Sequence, residues 1–172
     1  TTGNPKGVIL SHTNILSNVM ACTYSIPADE HSKVLTFLPV CHVYERMLHY
    51  LYMYLGASIY FAESMDTIGE NIREAQPEVF TAVPRLLEKV YDRIMAKGDE
   101  QRGIKRVLFF WAVRLAEEYD VSGKSAWYLF KLRIARNLVF SKWMEALGGN
   151  VKAIASGCSP LLLRVAQIFL AA

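Results

Sequence analysis

Short apolar runs alternate with longer helix-like stretches along this 172-residue chain, and the alternation limits the fold more strongly than any other feature of the sequence. The runs are rich in β-branched and aromatic residues and are bounded by proline, glycine or polar residues, as buried strands usually are. The stretches between them carry apolar residues at helical spacing. We therefore predict strands at residues 8–11, 33–38, 57–62, 78–82 and 151–155.

The predicted helices lie between these strands and in one long segment after the fourth strand. Thr13 is a suitable cap for the first helix, and Pro84 suits the first turn of the helix that opens the long segment. We predict helices at residues 13–24, 43–54, 67–75, 84–98, 104–119 and 126–147, and a last one from residue 161.

Strands that alternate with helices indicate an α/β fold, with a mostly parallel sheet and helices on both faces. The helices at 84–147 follow one another without a strand, so we interpret them as a helical insertion. The length of the chain suits one domain or part of a larger one. We take residues 1–172 as a single partial domain.

Composition and charge exclude several classes of protein. A hydrophobic content of 52%, with 12% aromatic residues, indicates an ordered globular body. A net charge of +3 argues against a strongly cationic surface, and we expect no nucleic-acid partner. Cysteine spacing shows no CxxC pair, which favours reduced thiols and a cytoplasmic location. There is no carboxylate pair or metal-spaced His/Cys cluster to support a hydrolase or a zinc site.

The apolar region at residues 47–62 is shorter than the roughly 20 residues that a membrane helix needs. It also contains a histidine and a glycine. We therefore predict a buried helix, a turn and a strand there.

The opening segment, TTGNPKG, has the residue types of a phosphate-binding loop. Hydroxyl groups of Thr1 and Thr2 can donate hydrogen bonds, Gly3 lets the backbone approach an oxyanion, and Lys6 adds a compact positive charge. An ordinary turn is the alternative. A Walker-type loop is disfavoured, because no GK[ST] sequence opens a helix here. We expect a chain that begins in such a loop to be a piece of a longer protein.

A second segment, LPVCHVYER, places His42 after a strand end and a proline, where a parallel sheet forms its ligand crevice. The alternative is a half-buried histidine that caps the next helix. Cys41 and His42 do not suit a nucleophile–base pair, because neighbours in an extended segment point to opposite sides. Glu45 and Arg46 are expected to begin the helix and to pair with surface charges.

A third segment, AIASGCSPL, is a turn of small residues between a strand and a helix. Such a turn exposes backbone groups that suit an anion or a planar ring. It lacks the G-x-S-x-G pattern of a nucleophile elbow. The alternative is a plain connection in which Ser159 caps the helix and Pro160 lies in its first turn.

Together and in this order, the three segments resemble the adenylate-forming superfamily of acyl-CoA synthetases, peptide-synthetase adenylation domains and luciferases. The opening TTGNPKGVILSH resembles the latter part of that family's signature. Four stretches resemble the long-chain fatty acyl-CoA synthetase branch: LPVCHVYER, GASIYFAES, PEVFTAVPRLLEKVYDRI and AIASGCSPL. The resemblance covers essentially the whole chain. The resemblance implies an internal piece of the large N-terminal catalytic domain, without the C-terminal domain.

The resemblance also implies a two-step ligase that uses ATP, Mg²⁺ and coenzyme A. A fatty acid carboxylate and ATP give acyl-adenylate and pyrophosphate, and the coenzyme A thiol then takes the acyl group. Lys6 and His42 would be catalytic, with His42 near the reacting carboxylate and Thr1 near Mg²⁺. The residues implied to contact or shape the nucleotide site are Thr1, Thr2, Gly3, Val43, Ser156, Gly157, Cys158 and Ser159.

Two alternatives stay open at this point. One is a fatty acyl-AMP ligase that loads a carrier protein, and the other is a non-catalytic α/β module that binds a lipid or a partner. The expected partners are fatty acid, ATP, coenzyme A and the remainder of the same chain. We expect the isolated piece to be inactive, because other motifs of the resembled family are missing from it. Basic residues around Arg102, Lys105 and Arg106 suit a peripheral contact with the inner face of a membrane, with a solvated helix face as the alternative.

Overall fold

A four-stranded parallel sheet forms the centre of the computed structural model, which describes residues 7–157 and 159–172. The strands are β1 (Lys33–Thr36), β2 (Ser58–Phe61), β3 (Val79–Ala82) and β4 (Ala153–Ser156), in the order β2-β1-β3-β4. The register pairs Val34 with both Ile59 and Val79, and Val79 with Ala153. The predicted α/β fold with a parallel sheet is confirmed.

Helices connect and cover the strands. They are α1 (His12–Cys22), α2 (Val43–Leu55), α3 (Ile68–Ala75), α4 (Pro84–Asp99), α5 (Ile104–Glu117), α6 (Ala126–Ala135), a π-helical segment (Arg136–Phe140), α7 (Ser141–Ala146) and α8 (Leu163–Ala171).

The alternation of side chains along the strands gives the sheet two apolar faces. Val34 and Val79 point to one face and pack with residues of α1 and α2, among them Val19, Leu48, Leu51 and Tyr52. Leu35 and Phe80 point to the other face and pack with residues of α3, α4 and α8, among them Ile68, Ile72, Leu87 and Val165. Helices therefore cover both faces, as predicted.

The helices between β3 and β4 form a separate apolar cluster beside the sheet. Its buried members come from α5, α6, the π-helical segment and α8, and they include Ala112, Ala116, Leu132, Phe140 and Ile168. Helix α8 joins this cluster to the sheet, because Ile168 faces the helices while Val165 packs on the sheet. This is the predicted helical insertion.

Two local predictions are wrong. The strand predicted at residues 8–11 is not formed in the described part of the chain, and Val8 and Ile9 are 81% and 98% exposed. The cap of α1 is Ser11 rather than Thr13, since the Ser11 hydroxyl accepts from the Asn14 N–H and the Asn14 side chain accepts from the Ser11 N–H. The helix predicted at 126–147 is present as an unbroken helical run over residues 126–146, with a π-helical segment in its middle.

The last helix begins at Leu163, with Leu162 at its N-cap, so Ser159 does not cap it. Residues 47–62 form the end of α2, a turn and β2, as predicted. None of the helices described here combines the length and the apolar character needed to cross a lipid bilayer.

Candidate functional site at the carboxyl ends of the strands

The carboxyl ends of the parallel strands meet at one edge of the sheet. Strand β1 ends at Thr36 and is followed by the segment that leads into α2, whereas β4 ends at Ser156 and is followed at once by Gly157. Ligands of open parallel sheets bind at this edge. Two of the three segments singled out in the sequence therefore reach the same edge.

Gly157 and Tyr44 bring these two segments into contact. A Cβ atom built on Gly157 would lie 2.5 Å from two carbons of the Tyr44 ring and 2.8 Å from its hydroxyl oxygen. Cβ atoms do not approach other heavy atoms so closely, so this packing requires glycine. The contact makes the turn after β4 and the start of α2 a single surface.

His42 occupies the N-cap position of α2, and its side chain is exposed. Its backbone N–H donates to the Pro39 carbonyl (2.9 Å), and its carbonyl accepts from the Arg46 N–H (3.0 Å). The imidazole makes no capping hydrogen bond. The alternative of a half-buried capping histidine is therefore wrong.

The other predicted site residues fall into two groups. Val43 is 57% exposed, and both Ser156 and Ser159 are exposed at the carboxyl end of β4. The remaining ones lie outside the described residues: Thr1, Thr2, Gly3, Lys6 and Cys158. The roles implied for both groups stay predictions.

An apolar cavity of about 320 Å³ opens beside this contact, between the end of α1, α2 and β4. Tyr44, Met47 and Leu48 line one side, and residues 153–156 line the other. The cavity reaches Ser156 at the strand end. An apolar pocket that ends at polar backbone is the usual form of a small-molecule site.

A buried polar cluster lies beneath the start of α2. Glu45 is 0% exposed and accepts hydrogen bonds from the Thr36 hydroxyl and from the Thr81 hydroxyl, whose oxygen is 3.1 Å from Glu45 Oε2. His49 Nε2 lies 3.4 Å from Glu45 Oε1 and 3.0 Å from the Thr36 hydroxyl oxygen. The prediction that Glu45 pairs with surface charges is wrong, because this position of α2 faces the sheet.

The cluster ties α2 to two strands. Thr36 is the last residue of β1, Thr81 lies in β3, and Glu45 is in the first turn of α2. The cluster therefore holds the start of α2, with His42 and Tyr44, at a defined place over the strand ends. Two hydroxyl residues within apolar strands and the i, i+4 spacing of Glu45 and His49 are the sequence signals for it.

Comparison with known proteins decides the family. The family model described as AMP-binding enzyme matches residues 1–171. The chain belongs to the AMP-binding enzyme family.

Curated relatives of this AMP-binding chain include several acyl-CoA synthetases. It is 34% identical over 163 residues to long chain acyl-CoA synthetase 6, peroxisomal, of Arabidopsis thaliana (94% of this chain, 22% of the relative). It is 33% identical to fatty acyl-CoA synthetase A of Dictyostelium discoideum (96% and 24%) and 32% identical to long-chain-fatty-acid–CoA ligase 1 of Homo sapiens (100% and 24%). The chain thus spans about a quarter of these relatives. No solved structure matches it significantly.

Burial sets the ionisation of the polar cluster in this AMP-binding chain. Burial raises the pKa of Glu45 to about 7, although the hydrogen bond from Thr81 lowers this pKa to a smaller extent. Burial also lowers the pKa of His49. Both shifts favour the uncharged forms, because a buried charge loses its hydration. Near neutral pH the cluster is therefore held mainly by hydrogen bonds.

The described part of this AMP-binding chain contains no group of three or more His, Cys, Asp or Glu side chains that could hold a metal ion. Thr1, the residue implied to lie near Mg²⁺, lies outside that part. Ser156 and Gly157 lie at the carboxyl end of β4, and the nucleotide contact implied for them stays a prediction.

Proposed function

We propose that this chain is part of an ATP-dependent long-chain fatty acid–CoA ligase, which activates a fatty acid as acyl-adenylate and transfers the acyl group to coenzyme A. The observation that carries the proposal is the contact of Gly157 with Tyr44 beside an apolar cavity at the strand ends. The three curated relatives named above, two acyl-CoA synthetases and one long-chain-fatty-acid–CoA ligase, support the same reaction.

The edge offers the two kinds of surface that this reaction needs. The cavity lined by Met47, Leu48 and Val79 suits the acyl chain, because burying apolar surface favours binding by about 25 cal/mol per Å². Exposed Ser156 and the backbone at Gly157 suit the polar nucleotide. An acyl chain in this cavity would have its carboxylate near the junction of the two surfaces.

His42 and Val43 are proposed to act at that junction. Both are exposed at the first turn of α2, where the unpaired N–H groups of the helix favour negative charge. A carboxylate placed there would be oriented for attack on the α-phosphorus. The buried cluster of Glu45, Thr36 and Thr81 would keep this turn in place during the reaction.

Lys6, Thr1, Thr2 and Gly3 are proposed to hold the phosphates. Gly157 and Cys158 are proposed to lie beside the adenine and the acyl chain, and Ser156 and Ser159 to shape the turn after β4. Mg²⁺, when bound, would neutralise charge on the leaving pyrophosphate. Lys6 would add a fixed positive charge to the same group.

The proposal is tested with the native full-length protein by measuring pyrophosphate release and thioester formation. We expect pyrophosphate release that depends on a long-chain fatty acid, and acyl-CoA as the product. Pyrophosphate release followed by acyl transfer only to a carrier protein would favour the acyl-AMP ligase instead. Fatty acid binding without any consumption of ATP would favour the non-catalytic module.

Replacing Lys6 tests the phosphate loop. We expect Lys6→Ala to slow single-turnover adenylation by about tenfold or more, because a charge-assisted contact contributes about 1.5–3 kcal/mol. Fatty acid affinity should change much less. Lys89→Ala, at an exposed position of α4, is the matched control. Equal losses of rate and affinity would contradict the assigned role.

A further inference from the structure

A larger cavity, of about 700 Å³, lies among the helices that connect β3 and β4. It is bounded by α4, α5, α7 and α8 and by the residues that lead into β4. Its volume lies in the range of sites that enclose one small ligand. Neither the predicted site residues nor the contact of Gly157 with Tyr44 belongs to it.

This helical cavity lies at the other end of β4 from the candidate site. Val151 and Lys152, which line it, precede the first residue of β4, whereas Gly157 follows the last. A strand of this length separates its two ends by about 13 Å. Ile154 within β4 lines both cavities, whereas Tyr44 and Ser156 line only the cavity at the strand ends, so the strand-end edge lies outside the helical cavity.

The floor of the helical cavity is apolar and partly aromatic. Phe109 and Trp143 line it with their ring centroids 6.0 Å apart, and Ile94 and Phe169 add aliphatic and aromatic surface. The Phe109 ring packs directly on Gly98 of α4, so α4 and α5 approach closely there. Such a floor suits a hydrocarbon chain.

The charged residues that line the helical cavity are all positive. Lys97, Lys105, Lys142 and Lys152 line the cavity, and no aspartate or glutamate does so in the described part of the chain. Lys152 is paired with Glu78 at 2.7 Å. The salt bridges of residues 7–157 and 159–172 include none of the other three lysines. Three lysines at an apolar cavity are complementary to an anionic head group with an apolar tail.

We propose that the helical cavity binds one free long-chain fatty acid at a second, non-reacting site. The hydrocarbon chain would lie against Phe109 and Trp143, and the carboxylate would lie near Lys97, Lys105 and Lys142. This site is independent of the proposed ligase reaction, since it uses none of the residues assigned to that reaction.

The test uses the native full-length protein and a fatty acid brominated on its chain, below its micelle concentration. Bromine quenches indole fluorescence only at short range, so binding in the cavity should quench Trp143. We expect Trp143→Phe to remove that part of the quenching. Quenching that is unchanged in Trp143→Phe would overturn the proposal.

Charge variants test the head-group end. We expect the double variant Lys105→Glu with Lys142→Glu to weaken binding of the brominated acid by about tenfold or more. Lys89→Glu, an exposed lysine of α4 outside the lining, is the matched control and should leave the affinity unchanged. An alcohol of the same chain length should bind more weakly than the acid. Equal affinities for acid and alcohol would overturn the proposal.

A further variant separates this site from the ligase site. Gly157→Leu should abolish acyl-CoA formation, because it fills the strand-end contact, while quenching of Trp143 persists. In the wild-type protein, ligase activity without quenching of Trp143 would overturn only the second site. In the wild-type protein, quenching without ligase activity would overturn only the proposed reaction. Loss of quenching in Gly157→Leu, with the fold intact by circular dichroism, would place the bound acid at the strand ends and overturn the second site.

Discussion

Gly157 packs against the ring of Tyr44, and this contact joins the turn after β4 to the first turn of α2. The two residues are far apart in the sequence, and each belongs to a segment that sequence analysis assigned to the same site. Because no side chain fits between them, the shape of the strand-end surface depends on the absence of a Cβ at residue 157.

Because of this contact, we expect one added methyl group at residue 157 to lower the catalytic efficiency strongly. Gly157→Ala in the full-length protein should lower kcat/KM for the fatty acid by about tenfold or more, because the Tyr44 ring must move away from a Cβ at 2.5 Å. Gly69→Ala is the control, since a Cβ there meets nothing within 4 Å. Adding Tyr44→Val to Gly157→Ala should recover part of the loss. Unaltered kinetics of Gly157→Ala would contradict the close packing.

Glu45 predicts a pH dependence of stability. Its pKa is raised from 4.5 to about 7 in the folded chain, so the native state holds this proton more tightly than the unfolded state. Its contribution is therefore full below about pH 4.5 and is lost as pH rises toward about 7. Relative to Glu45→Gln, the wild type should lose about 3 kcal/mol of unfolding free energy across that window.

Denaturant unfolding at a series of pH values measures the effect of Glu45. The control is Glu63→Gln, at an exposed loop position, which should follow the wild type at every pH. The prediction fails if the difference between the wild type and Glu45→Gln stays constant with pH.

We expect that replacing Tyr52 by phenylalanine does not destabilise the folded protein. Its hydroxyl is buried and has no hydrogen-bond partner among the described residues. Tyr52→Phe removes this unsatisfied group and should leave the unfolding free energy unchanged or raise it by up to about 1 kcal/mol. Tyr128→Phe is the matched control, because the Tyr128 hydroxyl donates to the Leu115 carbonyl at 2.6 Å. That variant should lose about 1 kcal/mol in the same thermal or denaturant unfolding. A similar loss in both variants would show that the Tyr52 hydroxyl has a partner.

Two adjacent glycines precede β4, and we expect replacement by alanine to destabilise the protein more at one of them than at the other. Gly148 (φ +85°) and Gly149 (φ +81°) are both left-handed, so alanine is strained at either position by about 1 kcal/mol. A Cβ on Gly148 would also lie 2.8 Å from the Ile72 carbonyl oxygen, whereas one on Gly149 meets nothing within 4 Å. Gly148→Ala should therefore destabilise the chain by at least about 1 kcal/mol more than Gly149→Ala. Equal midpoints in denaturant unfolding would contradict the clash with Ile72.

Much of the fold could be predicted from residue periodicity. Three strands of the described sheet lie within the predicted ranges, and β4 extends one residue beyond its range, because β-branched runs bounded by turn residues differ clearly from the helical stripes between them. The run at residues 8–10 has the same composition and yet is exposed and unpaired. A strand requires a neighbour with which to pair, and a sequence pattern does not contain that information.

The site could be predicted only in part. Topology explains why His42 and Gly157 reach one edge, since both follow the carboxyl ends of parallel strands. The burial of Glu45 could not be predicted in the same way, because it depends on Thr36 and Thr81, which lie on other elements. A glutamate in the first turn of a helix is ordinarily a favourable surface residue. Only the packing of α2 on the sheet makes this one an interior group.

Strands β3 and β4 are neighbours in the sheet, although Glu78 and Lys152, which join their starts, are separated by 74 positions. During synthesis on the ribosome, everything from α4 to α7 emerges before β4 does. Contacts so distant along the chain form slowly, because closing the intervening loop costs entropy. The contact between Tyr44 and Gly157 is therefore among the last parts of the described chain to take shape in a nascent polypeptide.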